Sequence, residues 1–264
     1  MTGSRYGARL AALLAILLFC LFFLLPLVVI LMSSLSQQWN GVIPEGFTLR
    51  HYVAALSGGS WHNLVNSLII GVTASLFALV CGSLAALALR QYSAFWQRKL
   101  SMLFYLPSAI PSVSVGLGLL VAFSQGPLQM NGTFYIVPAA HFILVCAFTF
   151  SHLSAGLACL PKDTEQVAAS LGASPGYRLR HITLPLLTPW MISALALSLS
   201  LSMGELGATM MIYPPGWSTL PVAIFGLTDR GNIADSAALT IILVAVTLLI
   251  MVKLERLAHL PGRA

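Results

Sequence analysis

The sequence predicts an all-α integral membrane protein of six transmembrane helices with both termini cytoplasmic, on three observations. Hydrophobic residues fill 58% of the 264 positions and charged residues only 8%, with a mean hydropathy of +0.90. Soluble domains carry roughly 25% charged residues, so this chain lacks the charge to coat a water-facing surface. Six stretches are mostly apolar over the length of about 20 residues that a spanning helix needs. Lys and Arg then fall almost wholly on one side of those stretches, 11 against 2.

The expected spans are 10–32, 64–89, 102–124, 134–157, 188–213 and 236–254. The first follows Arg5 and Arg9, as a secretory leader would. Its apolar run exceeds the roughly 7–15 residues of a leader core, so it is expected to be a retained helix. Six spans put both termini on one side. With them lie Arg5, Arg9, Arg90, Arg98, Lys99, Lys162, Arg178, Arg180, Lys253, Arg256 and Arg263; opposite lie only Arg50 and Arg230. Cytoplasmic segments carry the excess of Lys and Arg, which makes the richer side cytoplasmic. The outer segments 33–63, 125–133 and 214–235 hold turn-formers such as Pro44, Gly58, Gly126, Pro127 and Gly216. None is long enough for a separate soluble domain, so residues 1–264 read as a single transmembrane domain.

Several function classes are disfavoured. The net charge of +6 suggests nucleic acid, but no Lys/Arg cluster is interleaved with aromatics, and no nucleic-acid partner is expected. A phosphate-cradling P-loop needs a lysine after a glycine; Lys99, Lys162 and Lys253 do not follow one. HExxH is absent. Cys20, Cys81, Cys146 and Cys159 form no CxxC pair and read as small apolar residues between helices. No catalytic residue, metal or cofactor is expected.

One polar segment interrupts the apolar pattern, "EQVAASLGASPGYRLRHITLPLLTPW" at 165–190. Residues 162–171 are helix formers with Asp163 and Glu165 near the start, where the helix dipole favours acids. Gly172 suits a left-handed C-terminal stop. Ser174 and Pro175 suit an N-cap and first helical position, opening a short second helix over 176–181. Pro185 and Pro189 then introduce the fifth span. Val167, Ala168 and Leu171 form a small apolar face that a solvated loop does not need, whereas a partner's groove would use it.

This segment resembles the EAA loop of the inner-membrane permeases of bacterial ABC importers, whose pattern is EAA-x-x-x-G-x9-I-x-L-P. Gly172, nine intervening residues and then Ile182, Thr183, Leu184 and Pro185 match it in identity and spacing. The front end departs: Gln166, Val167 and Ala168 stand at the EAA positions, with the acid displaced to Glu165. The stretches "NSLIIGVTASLFALVCGSLAALALRQY", "YLPSAIPSVSVGLGLL" and "SMGELGATMMIYPPGWSTLPVAIF" resemble further spans of these permeases. The last is similar to the branch handling iron, sulfate, polyamines and phosphonates.

The resemblance implies a type I ABC importer permease fold in a bacterial inner membrane, surrounded by membrane lipid. It implies a separate ABC ATPase, a periplasmic solute-binding protein and a second permease, expected to be a different but similar chain. The expected substrate is 2-aminoethylphosphonate, with iron, sulfate, thiamine or polyamine import as alternatives. A stand-alone secondary transporter and a lipid-directed membrane enzyme are weaker readings. The coupling loop is expected at about 158–187, with Glu165, Gln166, Ala168, Gly172, Ala173, Ile182, Leu184 and Pro185 at the ATPase contact.

Inside the membrane, Pro107, Pro111, Gly116 and Gly118 interrupt the third span, with Ser112 and Ser114 alongside. Broken helices are tolerated at depth where they line a cavity or pack on protein. Glu205 is the single acid well inside a span and must face protein or water. It is expected either on the substrate pathway or as the cap of a helix broken between Gly204 and Gly207. His141 and His152 are expected to be packed or interfacial.

Overall fold

The computed structural model describes residues 5–39, 41, 43–57 and 59–258. Gly58, among the expected turn-formers, and Arg263, among the expected cytoplasmic cations, lie outside them. Helix α1 (Arg5–Leu35) leads into a small antiparallel hairpin, β1 (Ser36–Gln38) and β2 (Glu45–Phe47), with Ser36 opposite Phe47 and Gln38 opposite Glu45. Then follow α2 (Arg50–Leu56), α3 (Gly59–Leu89), α4 (Ala94–Tyr105), a 3-10 turn (Leu106–Ala109), α5 (Ser112–Ala122) and α6 (Ile136–Cys159). The chain continues through α7 (Lys162–Ser170), α8 (Pro175–Arg178), a π-turn (Leu179–Thr183) and α9 (Leu184–Met203). It ends with α10 (Gly207–Ile212), α11 (Leu220–Asp229) and α12 (Ile233–Ala258).

Among the described residues, five segments are long and apolar enough to cross a membrane: Arg9–Leu35, Gly59–Leu89, Ile136–Cys159, Pro175–Met203 and Ile233–Ala258. A bent pair, Ala94–Ala109 with Ser112–Ala122, makes up to six.

Two expected spans differ in form. The third, over 102–124, is not one helix: its halves meet at 95°. Pro107 and Pro111 each remove a backbone donor and crowd the preceding turn. Ile110, just before Pro111, is driven to extended backbone at φ −95°, ψ 130°. The 11 residues of α5 rise only about 16 Å, half the thickness of a bilayer core. The fifth span, expected over 188–213, begins earlier and breaks sooner. The short helix expected over 176–181 is not separate, because α8 runs through the π-turn directly into α9. Pro185 offers no N–H to the carbonyl one turn back, and a helix must widen or kink there. The far end breaks at Gly204, and α10 restarts three residues later. The outer segment 214–235 also carries a helix, α11, where only turns were expected.

The chain forms two compact units, 1–61 with 223–244 and 62–222 with 245–264. In the first, His51 is buried between Asp235 and the Ser36 carbonyl, and the Tyr52 and Ser34 hydroxyls lie 2.6 Å apart. The second holds two apolar cores. Ile70, Ile136, Val137, Ala140, Ala208 and Ile212 form one; Ala86, Phe150, Leu153, Leu157, Leu187 and Ala194 form the other. Polar pairs also tie its helices together, supplementing small-residue packing. Thr149 and Ser198 meet at 2.6 Å, and His141 bridges the Ser202 hydroxyl at 2.6 Å and the Thr209 hydroxyl at 2.8 Å.

Candidate functional site

Local chemistry builds the turn between α7 and α8 as its residues predict, although α8 then runs on into α9. Asp163 and Glu165 stand in the first turn of α7. At its end the Gly172 N–H donates to the Ala169 carbonyl and the Ala173 N–H to the Ala168 carbonyl, both at 3.0 Å. That pairing closes a helix around a left-handed residue, and Gly172 has φ +85°. A residue with a Cβ resists that angle, although the space around Gly172 is open. Ser174 accepts from the Tyr177 N–H at 3.3 Å and caps α8, with Pro175 at its first position. The result is a helix, a tight turn and a second helix.

The tip of this hairpin is exposed and apolar. Leu171 is 82% and Val167 58% exposed, and Tyr177 stacks on His181 with ring centroids 4.2 Å apart. Gln166 and Gly172 are exposed, while Ala168, Ala173, Ile182, Leu184 and Pro185 are half-buried.

Glu165 does something its position in sequence does not reveal. One carboxylate oxygen accepts from Arg90 Nη1 at 2.7 Å and from the Thr183 hydroxyl at 2.6 Å. A single side chain thus clasps α7 to the residue following α3 and to the π-turn that leads into α9. Desolvation pushes the Glu165 carboxyl up. The hydrogen bonds from Arg90 and Thr183, with the charges of Arg90 and Arg178, more than reverse this, so its pKa lies below the usual glutamate value. Beside the clasp a cavity of about 460 Å³ is lined by Arg90, Glu165, Gln166 and Arg178.

The helix-break candidates are partly brought together. Ser112 and Glu205 line one cavity of about 150 Å³ with Ser108, His141 and Ser202; Ser114 is exposed and does not line it. Glu205 Oε1 accepts from the Ala208 N–H at 2.9 Å, capping α10. The break is also a close approach. A Cβ on Gly116 would stand 2.7 Å from the Ala208 carbonyl oxygen, and one on Gly207 would stand 2.5 Å from Ser112 Oγ. Helices α5 and α10 therefore pack backbone to backbone beside the cavity.

Arg90 and Thr183, as partners of Glu165, and the Ser202–His141–Thr209 bridge were not singled out from sequence. Thr183 lies inside the matched I-x-L-P stretch, at its variable position, which is the one local signal for it. Arg90 carries no such signal.

Comparison with known proteins fits this architecture. Residues 78–260 match the family model described as the inner membrane component of binding-protein-dependent transport systems. The chain is 74% identical over 239 residues to PhnV of Salmonella typhimurium, a protein provisionally named as the permease of a 2-aminoethylphosphonate transport system, covering 90% of each. It is 25% identical over 236 residues to PotC of Escherichia coli K12, a spermidine/putrescine transport system permease, covering 89% of each. In fold it matches a chain of a bacterial ABC transporter that imports alginate, with a TM-score of 0.77 at 19% identity over 96% of both chains. A chain of the MetNI methionine ABC transporter follows at a TM-score of 0.62, 16% identity and coverage of 74% of this chain and 93% of that one. By its matched residues and its relatives, the chain belongs to the family of inner membrane components of binding-protein-dependent transport systems.

Proposed function

We propose that this chain is the permease subunit of an importer of 2-aminoethylphosphonate. The identity of 74% over 90% of the chain to PhnV is the observation that carries the substrate. A separate ATPase supplies the energy, and a periplasmic solute-binding protein delivers the solute to a pathway formed with a second, similar permease. Both termini face the cytoplasm, as the distribution of Lys and Arg favours, within one transmembrane domain.

The loop of about 158–187 docks on the ATPase. The exposed apolar tip at Val167 and Leu171 supports that role, being costly in water and suited to a partner's groove. Gln166, Ala168, Gly172 and Ala173 shape the contact, and Ile182, Leu184 and Pro185 carry its displacement into α9. Glu165 serves by holding the hairpin against Arg90 and Thr183, so that closure of the ATPase moves α7 and α9 together. Ser112 and Glu205 border the pathway; the free carboxylate oxygen of Glu205 suits an ammonium group, while Ser114 stands further off.

The test is growth of a strain lacking this chain, and any second uptake system, on 2-aminoethylphosphonate as sole phosphorus source. Growth should fail and return when the chain is restored. Undiminished growth of the deletion strain rejects the substrate. Loss of polyamine uptake instead would favour the kinship with PotC.

A further inference from the structure

We propose that a cavity in the first unit is a binding site for a phosphoryl or phosphonate anion, with Arg50 as its charged donor. The cavity holds about 750 Å³, and all of its lining residues belong to that unit. One side is apolar, from Val29 and Ile30 of α1 and Ala237 of α12; the other is polar, with Gln38, Arg50 and Asn232. The apolar side lies one to two turns inside the two spanning helices. The polar side lies where α1 gives way to the hairpin and α12 begins.

Charge selects the ligand class. Arg50 spends one N–H on the Gln37 carbonyl at 3.0 Å and forms no ion pair among the described residues. No Asp or Glu is among the described lining residues. Asp235, the neighbouring carboxylate, is already occupied: one oxygen faces His51 Nδ1 at 2.5 Å and the other accepts from Asn232 Nδ2 at 2.6 Å. The Gln38 side chain makes no hydrogen bond among the described residues, so its amide N–H groups remain available. A guanidinium with donors to spare and no counter-charge suits a tetrahedral oxyanion, whose oxygens accept parallel N–H bonds. Arg50 is exposed, so its guanidinium repels a cation and draws an oxyanion from solvent.

Two sources carry this chemistry. A phospholipid would place its phosphate at Arg50 and an acyl chain along the apolar side. A free phosphonate or phosphate would occupy the polar side alone. The site rests on Arg50 and its surroundings and not on the identity of the transported solute, so it survives failure of the growth test above.

The full-length chain, purified in a maltoside detergent that carries no phosphate, is titrated calorimetrically with inorganic phosphate and with 2-aminoethylphosphonate. Native mass spectrometry of the same preparation measures retained phosphatidylglycerol. Arg50→Gln should weaken whichever ligand binds by about tenfold or more, and Arg50→Lys should restore part of it. Thr228→Trp, at an exposed lining position, should weaken it by filling the cavity with the arginine intact. A loss confined to phosphatidylglycerol assigns a headgroup, and a loss confined to the free anions assigns a solute; either supports the site. No ligand distinguishing wild type from Arg50→Gln overturns it. If Arg50→Gln does not elute as a folded species, unchanged binding by Thr228→Trp overturns it instead.

Discussion

Removing the Glu165 carboxylate should loosen the hairpin 162–187 without touching its exposed tip. The carboxylate oxygen accepts two short bonds, 2.7 Å from Arg90 and 2.6 Å from Thr183, and the Arg90 and Glu165 side chains are 28% and 24% exposed. Buried bonds to a charged group contribute about 1.5–3 kcal/mol, and exposed ion pairs about 0.2–1 kcal/mol. At one-quarter exposure the Arg90–Glu165 coupling falls between, at about 1–1.5 kcal/mol, and Glu165→Ala, which also frees Thr183, should cost about 2 kcal/mol. A double-mutant cycle of Glu165→Ala, Arg90→Ala and both, read by thermal unfolding of the purified chain, measures the coupling. Uptake by the reconstituted transporter should fall alike in all three, the double variant being no worse than the poorer single one. Additive stability losses, with coupling below about 0.3 kcal/mol, would refute the clasp. So would an Arg90→Ala variant with full uptake beside a dead Glu165→Ala, since Glu165 would then act on the ATPase directly.

The folded pKa of Glu165 is lowered; its clasp is fully present above the unfolded value of about 4.3 and is lost as pH falls through the folded value. The stability of wild type should therefore drop more steeply below about pH 4 than that of Glu165→Gln, and parallel acid-unfolding curves would contradict this. Gly172→Val should cost about 1–2 kcal/mol through its left-handed angle, Gly172→Asn less, and Gly172→Asp should abolish uptake with insertion intact. Normal uptake by a stably expressed Gly172→Asp removes the turn from the docking surface. Gly116→Ala should destabilise by about 1–3 kcal/mol, because the new carbon meets the Ala208 backbone. Gly118→Ala meets nothing within 4 Å and should be neutral or stabilising; equal melting temperatures for the two would refute the close approach. Glu205→Gln keeps an oxygen to cap α10 and loses only the charge. Its melting temperature should hold while uptake falls, and unchanged uptake kinetics would take Glu205 off the pathway.

Legibility in the sequence followed the range of the physics. Hydropathy located the apolar runs, because burying about 20 apolar residues is a property of the run alone, but it did not set the ends of the fifth span. The Gly172 turn and the Ser174–Pro175 start were readable for the same reason, since caps satisfy donors and acceptors within a few residues. Pro107 and Pro111 announced an interruption of the third span, but its 95° bend depends on how the two halves pack.

Sequence by itself determined a membrane protein with one polar helix–turn–helix and its family likeness, since composition, periodicity and motif spacing are additive along the chain. Tertiary structure alone decided what the polar groups do. Glu165 meets Arg90 across 75 positions, and His141 meets Ser202 and Thr209 across 61 and 68. Buried polar groups take whatever partner packing brings within reach, because an unpaired one is expensive at low dielectric, and packing is not written in any local pattern. The displaced acid of "EQVAASLG" thereby changes from a defect in a motif to the residue that fastens the hairpin to the membrane helices.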